Sequence, residues 1–460
     1  MSNWRTALRL EHKVAQIITQ QEINGVAFDY PRAMEYLSYL EDQQEGIRKA
    51  VEPLLKPEVY QDRATVRSPF TKAGSLSKRA LDIIGEAELI GGPFTPVTIE
   101  RPDISKRQKM TKALLEEGWE PELFTPTGQP KLTDKGKPVD SLLKMQGGIG
   151  ESLARWYILN HRRGVIQGWV NNIRPDGRLT AGANPCGTPT GRMTHRTVVN
   201  VPKANRYRKG HEREGELIWD IEDQSEIFGT QMRSLFIAPK GKVLVGHDAS
   251  GLESRMLANR LGDPELTYEI IEGDFHSKIW EPIQEFVHSR DNAKNVEYAL
   301  IYGALNPKLG SMVDYKPEGW SDEKMGGVIR ELIMESMPAL DDLTRRVQRQ
   351  ARKGHLIGLD GRKLFVRSLH SALNLQLQSD GAIIMKASMC YLHDWVKKKG
   401  LDVLKVIDMH DEAQAEVDPE HAELYADLAV KSIIKAGELF NLSVPLDGEA
   451  KIGRHWAETH

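Results

Sequence analysis

Val245-Gly-His-Asp-Ala-Ser-Gly-Leu-Glu-Ser-Arg255 and Val406-Ile-Asp-Met-His-Asp-Glu-Ala-Gln-Ala-Glu-Val417, taken as a pair, say most about how this chain folds. In each, an apolar run with β character delivers a carboxylate to a point where a strand would end or turn. Asp248 holds that place in the first, and Asp411 followed by Glu412 holds it in the second. The aspartates lie 163 positions apart, a separation that becomes one site only if the fold brings the two strands together. Between them runs Arg290-Asp-Asn-Ala-Lys294-Asn-Val-Glu-Tyr298-Ala-Leu-Ile-Tyr302-Gly303. As a helix, this segment repeats Arg290, Lys294 and Tyr298 at every fourth residue, so their directions drift by only about 40° per step and share one side, which Tyr302 extends.

These residue types point to nucleotidyl transfer. Attack on a nucleoside triphosphate needs a deprotonated hydroxyl and neutralised phosphate charge, which two Mg²⁺ ions about 3.5–4 Å apart supply. Two aspartates from distant segments are the minimum scaffold, because Mg²⁺ prefers oxygen ligands and keeps several waters. The Arg/Lys end of the helix suits a triphosphate and its Tyr end a base or sugar, and Lys294 is placed to protonate a leaving pyrophosphate. Taken singly, each aspartate also reads as a turn or helix cap, and the helix as a surface element with long cations over a tyrosine core.

Composition bounds the rest. The chain has 460 residues with 40% hydrophobic content, enough to bury a sizeable core and to divide into two or three subdomains. With 62 basic against 65 acidic residues, any nucleic-acid contact must come from local patches rather than an overall positive field. Two cysteines, Cys186 and Cys390, are too few for a disulfide framework or a thiolate zinc site. The N-terminus lacks a signal-peptide pattern and no apolar stretch approaches 18 residues or so, so a soluble intracellular protein is expected.

Along the chain, Leu10, Val14, Ile17 and Ile18 form an apolar helical stripe that Asn24-Gly25 stops, and Met34, Leu37 and Leu40 begin another. Residues 56–80 read as an exposed basic loop, as does Lys203–Arg213. A helix near Arg107 to Gly118 sits in a loop-rich stretch, Arg174-Pro-Asp-Gly-Arg178 and Gly358-Leu-Asp-Gly-Arg362 read as turns, and Val243–Val245 and Val403–Met409 read as strands. Helical periodicity dominates from Leu252 to about Arg352. Asp220-Ile-Glu222 reads as a loop coincidence.

With these residues in order, the chain resembles the family A DNA polymerases, including their phage branch. Asp-x-Ser-x-x-Glu-x-Arg, Arg-x3-Lys-x3-Tyr-x3-Tyr-Gly and His-Asp-Glu are similar to that family's three polymerase motifs. Thr190–His195, Gly273–His276, Gly358–Lys363, His370–Ser379, Leu8–His12 and Gly453–Trp456 with His460 extend the similarity over nearly the whole chain.

The resemblance implies an α+β right-hand fold with a helical thumb (1–172, with a loop insertion at about 56–92), an antiparallel β-sheet palm (173–259 and 367–460) and helical fingers (260–366). It implies that Asp248, the Ala249 carbonyl and Asp411 hold metal, with Glu412 as an accessory carboxylate. Arg290, Lys294 and His276 match triphosphate contacts, and Tyr298 the residue flanking the sugar, where Tyr implies acceptance of dideoxynucleotides. Glu253 matches a steric gate against a ribose 2′-hydroxyl. Tyr302 and Gly303 match the template side, while Arg192, Asn374, Gln378 and His410 match contacts to the primer-template. Two Mg²⁺ ions, with Mn²⁺ able to substitute, are the implied cofactors, and primer-template DNA and dNTPs the partners.

Departures from the pattern carry further expectations. The proofreading 3′–5′ exonuclease domain is expected to be missing, its activity absent or supplied by a separate chain. Residues 56–92 stand where phage members carry a thioredoxin-binding insertion but are shorter and differently composed, so thioredoxin is not carried over and a processivity factor stays unnamed. A monomer acting in phage genome replication, in the cytoplasm of an infected bacterium, is expected. A ribonucleotide-accepting polymerase and a catalytically idle DNA-binding accessory are the competing readings; retention of Asp248, Asp411 and Lys294 speaks against the latter.

Overall fold

The computed structural model describes residues 4–61, 65–84, 92–125, 127–134, 137–145, 149–203, 207–213, 216–221 and 228–460. Helices and antiparallel strands are mixed along the chain, in agreement with the expected α+β class. Two compact units emerge: one from Met1–Arg32, Gly168–Ala204 and Gly229–His460, the other from Ala33–Gln167 and Asn205–Phe228.

The first unit is built on a four-stranded antiparallel sheet in the order Val403–Met409, Glu412–Val417, Val243–Ala249, Gly448–Gly453. The two strands expected from sequence are both present, the first running on to Ala249. Alternation decides the faces. Val245, Ala415 and Val417 pack with Leu392 of the helix Ala372–Lys399 and with Tyr425 and Ala429 of the helix Ala422–Leu439. Gly246, Gln414, Glu412 and Asp248 alternate with these residues and take the other face. Beyond the sheet, the helices Leu252–Leu261, Arg290–Ile301, Asp322–Ser336 and Pro338–Ala351 share one core with the start of the 372–399 helix, through Met256, Ala293, Val296, Ile329, Leu340, Leu373 and Leu377. Burying each of the larger side chains removes it from water for about 1.5–3 kcal/mol.

The helix Trp4–Asn24 belongs to this unit, where Val14, Ile17 and Ile18 pack with Ala183 and Met389, and Leu10 lies partly buried beside them. Gly25 ends it at φ +61°, and an added Cβ would lie 3.1 Å from the Leu179 carbonyl oxygen, so glycine suits both the turn and the close approach. Arg174–Gly177 is the expected turn, closed by Gly177 N–H donating to the Arg174 carbonyl at 2.9 Å.

In the second unit, Val51, Ile104, Met110, Leu114, Trp119, Leu142, Leu153 and Trp156 form a separate core. Leu37 and Leu40 are buried as their spacing predicts, whereas Met34 is 43% exposed. The helix in the loop-rich stretch spans Arg107–Glu116. Two expectations are corrected. The 56–80 stretch is not loop throughout, because Glu58–Gln61 pairs with Val97–Glu100 and a helix starts at Lys78. Likewise Tyr207–Arg213 is a strand paired with Glu216–Ile221. Distant or following β-prone segments satisfy backbone groups that composition alone assigned to solvent. Asp220 therefore lies in a strand, while Glu222 lies outside the described residues. Among the described residues no helix is long and apolar enough to cross a membrane.

Candidate active site

Strand pairing does what the 163-residue separation required. Asp248 stands directly opposite Glu412 across the ladder, and Met409 opposite the same residue on the other side, so His410 and Asp411 form a two-residue turn beside the end of the Asp248 strand. His410 takes φ +61°, rare for a non-glycine residue. The Ala249 N–H donates to the Asp411 carbonyl at 3.3 Å, pinning the turn to the strand. Burial, then the charges of Asp411 and Glu412, push the Asp248 carboxyl up to about 7. Crowded negative charge is what a divalent cation relieves.

Glu412 has a different station. One oxygen accepts from Gln414 Nε2 at 2.8 Å and from the Trp456 indole, and the other from His460 Nδ1 at 2.9 Å. Arg233 lies 3.7 Å away and stacks over the Trp456 ring at 4.3 Å. Burial pushes this carboxyl up, but His460, Arg233 and Trp456 more than offset it, and the group stays below its ordinary value. Its engaged oxygens make it a fixed charge beside the aspartates rather than an open metal arm. The same contacts account for the C-terminal Gly453–Trp456 and His460 signals.

The residues present fit Mg²⁺. Asp248 and Asp411 offer hard oxygen donors side by side, and among the described residues no third His, Cys, Asp or Glu completes a side-chain cage. That suits an ion that keeps waters and takes one or two carboxylates.

The helix Arg290–Ile301 starts at Ser289, whose side chain accepts from Asn292 N–H. Arg290 makes a bidentate pair with Asp274 at 2.9 and 2.6 Å, and Arg290 and the Ser277 hydroxyl together hold the Asp274 carboxyl well below the usual range. Lys294 lies near enough to Glu297 for its charge to act on that carboxyl. His276 Nδ1 and Glu297 share a hydrogen bond at 2.5 Å, which leaves Nε2 outside that contact. Glu297 is 2% exposed and burial raises its carboxyl. Pattern reading missed Glu297, which sits on the inner side of the helix. Tyr298 lies between the rings of His276 and Tyr302, at 6.3 and 5.9 Å.

Tyr302 caps the helix and its hydroxyl donates to Glu253 at 3.0 Å. Burial raises the Glu253 carboxyl, and its other oxygen is enclosed without a partner. Gly303 follows at φ +81°, where a Cβ would come 2.1 Å from the His370 carbonyl oxygen; no other residue fits. Asn374 and Gln378 lie one turn apart on the 372–399 helix, both partly exposed. Arg192, Leu252, Met385, His410 and Asp411 line one narrow cleft.

The loop carrying Arg192 is anchored by a network that the motifs did not announce. Lys386, 1% exposed, donates to the Gly191 carbonyl at 2.7 Å and to both Glu11 oxygens at 2.6 and 2.8 Å. Arg362 reaches Glu11 at 2.6 Å and Asp360 at 2.6 Å from the expected hairpin turn. Glu11 is the acidic residue of the Leu8–His12 signal, and it binds two buried cations.

The sequence model for DNA polymerase family A matches residues 137–458. The chain is 29% identical to a DNA-directed DNA polymerase of Escherichia phage Phieco32 over 98% of both proteins. It is 28% identical to the DNA-directed DNA polymerase of Escherichia phage T7 over 99% of this chain and 70% of that one. The POL domain of Pol1 from M. smegmatis, solved with DNA primer-template and dNTP, is similar with TM-score 0.71 and 20% identity, over 97% of this chain and 70% of that one. The chain belongs to family A of the DNA polymerases, shares their right-hand α+β fold and is a DNA-directed DNA polymerase.

Proposed function

We propose that this enzyme adds dNMP to a primer 3′ end under template direction, at a site centred on Asp248 and Asp411. The observation that carries the reading is their adjacency at neighbouring strand ends, with the Asp248 carboxyl raised by burial and then by the company of Asp411 and Glu412. Asp248, Asp411 and the Ala249 carbonyl would hold the Mg²⁺ pair, with Glu412 fixing local charge. Bound there, the ions supply a more acidic primer hydroxyl and neutralise phosphate charge.

The protein's own groups do the remainder. Arg290 exchanges half of its Asp274 pairing for triphosphate oxygens, and His276 donates an Nε2–H to the same phosphates. The primer oxygen gives up its proton to water and bonds to the α-phosphorus, the bond from that phosphorus to the bridging oxygen breaks, and Lys294 donates a proton to the leaving pyrophosphate. Tyr298 packs on the sugar, and Glu253, braced by Tyr302, fills the room a 2′-hydroxyl would need. Tyr302 and Gly303 border the templating base, while Arg192, Asn374, Gln378 and His410 contact the primer-template. We assign 1–172 to a thumb, 173–259 and 367–460 to a palm and 260–366 to fingers, on the strength of motif order. Phage genome replication in the infected cell is supported by the phage relatives.

Primer extension with dNTPs, rNTPs and a matched or mismatched primer tests the reading. Templated, Mg²⁺-dependent addition of dNMP to the matched primer is expected, with rNMP addition strongly disfavoured. Untemplated addition, or equal use of both sugars, would refute it.

A further inference from the structure

We infer that Glu297 is a positioning residue of the triphosphate site, which holds the His276 ring in place and keeps a proton on its Nε2. The inference rests on the reading of His276 as a triphosphate contact and adds the group behind it. Glu297 lies on the helix Arg290–Ile301 directly before Tyr298, but on the buried side. Ala293 and Ile301, one turn away on the same face, belong to the apolar core. A carboxylate enclosed among such groups is costly unless it is bonded, and among the described residues its hydrogen bond is the one to His276 Nδ1 at 2.5 Å. Apolar side chains at both positions would join the helices Phe275–Trp280 and Arg290–Ile301 as well or better. The pair therefore points to the work of the ring rather than to folding.

The proton count gives the pair its function. One proton bridges Nδ1 and the carboxyl, whichever atom holds it, and a second then sits on Nε2. With both protons the pair presents an N–H donor to phosphate. With one, the bridge keeps it and Nε2 is a bare lone pair that phosphate oxygens repel. A carboxylate behind the ring favours the two-proton state by its charge. Burial raises the Glu297 carboxyl more than His276, Lys294 and Arg290 lower it, which helps the bridge hold its proton. The His276 side chain is 22% exposed and that of Glu297 3%, so the imidazole, not the acid, is what a phosphate can reach. The surrounding charges are engaged or turned to solvent. Arg290 and the Ser277 hydroxyl bind Asp274. On the helix Pro264–Ile271, Glu265 and Glu269 meet Lys278 at 2.9 and 3.4 Å. Glu281 and Lys308, on the flanking segments Glu281–Ile283 and Asn306–Gly310, are exposed.

The test reads dNTP affinity and the bridge separately, on the full chain. Binding of the templated dNTP to enzyme on a fluorescent, dideoxy-terminated primer-template is measured from about pH 6 to 9 for wild type, Glu297→Gln and Glu297→Leu. Glu297→Gln keeps a hydrogen bond to the ring and gives up the charge; Glu297→Leu gives up both. Glu297→Leu should weaken dNTP by about tenfold or more at pH 7, with primer-template affinity within about twofold and a urea midpoint no lower than wild type. Affinity should fall as pH rises and Nε2 loses its proton to water, and in Glu297→Gln that fall should come about one pH unit earlier. In wild-type protein free of DNA and dNTP, the bridging proton should give a downfield NMR line that Glu297→Leu and His276→Gln both remove. Equal dNTP affinity in wild type and Glu297→Leu, superimposable pH profiles for wild type and Glu297→Gln, or a missing line in protein that binds dNTP would each overturn the assignment. Wild-type protein that shows the line but binds no dNTP would instead overturn the triphosphate reading, and the assignment with it.

Discussion

Replacing Glu11 by Ala should destabilise the sheet-bearing unit and loosen the grip on primer-template without touching the chemistry. Glu11 is the sole carboxylate on Lys386 among the described residues and one of two on Arg362, and both cations are at most 5% exposed. Removing one partner of a buried pair costs about 3–5 kcal/mol, because the remaining charge stays desolvated. Glu11 is itself 18% exposed on its side chain and Arg362 keeps Asp360, which places the expected loss near the lower bound, about 3 kcal/mol. Urea unfolding followed by tryptophan fluorescence measures it as a midpoint shift at constant slope. The double variant Glu11→Ala/Lys386→Met removes the stranded charge and should recover most of the loss, leaving about 1 kcal/mol for the unpaired Gly191 carbonyl. Since Lys386 fixes Gly191, Arg192 should wander in the single variant, so that KM for primer-template rises while kcat changes little. A single variant within about 0.5 kcal/mol of wild type, the range of an ordinary surface change, would refute the reasoning.

Glu253→Ala opens the space beneath the sugar and should raise ribonucleotide incorporation by about 10–100-fold; unchanged sugar selectivity would remove Glu253 from the gate. Tyr298→Phe removes a hydroxyl beside the sugar and should lower dideoxynucleotide acceptance by about tenfold or more, with an unaltered termination ladder as the contrary result. Asp248 gives a pH dependence of known sign. Its carboxyl sits at about 7 against an ordinary 3.8, so binding a cation must displace a proton below pH 7. Mn²⁺ affinity should therefore rise with pH by up to about tenfold per unit, levelling off above pH 7. In cation-free protein the folded state holds a proton that the unfolded chain has lost between about pH 4 and 7, so this group's contribution to stability falls as pH rises through that window. A Mn²⁺ affinity equal at pH 6 and pH 8 would contradict both.

What the sequence disclosed was whatever a local period or a strand boundary can encode. The Asp248 and Asp411 strand ends, the Arg290–Tyr302 stripe and the 358–362 turn each follow from neighbouring residues, and each is where the pattern put it. Trp456 and His460 stand out in the sequence, but their convergence with Arg233 on Glu412 is not legible there, because they reach it only through tertiary packing. Glu297 was hidden for a related reason: a carboxylate on a helix reads as solvated until a partner such as His276 is known to lie behind it. Glu11 stood inside a recognisable segment, yet its partners are more than 300 residues away. The Tyr207–Arg213 strand is hidden by its basic composition, which argues against a strand until the β-prone Leu217-Ile-Trp219 is known to pair with it.

Mn²⁺ titration followed by electron paramagnetic resonance, with single-turnover extension measured on the same samples of wild type, Asp248→Asn and Asp411→Asn, tests the paired-carboxylate site most directly. Either substitution should weaken the ion by at least about tenfold and slow extension by about 10³-fold or more, while primer-template affinity stays within about threefold. If either variant keeps wild-type Mn²⁺ affinity and extends within about tenfold of the wild-type rate, the two aspartates do not form the catalytic centre.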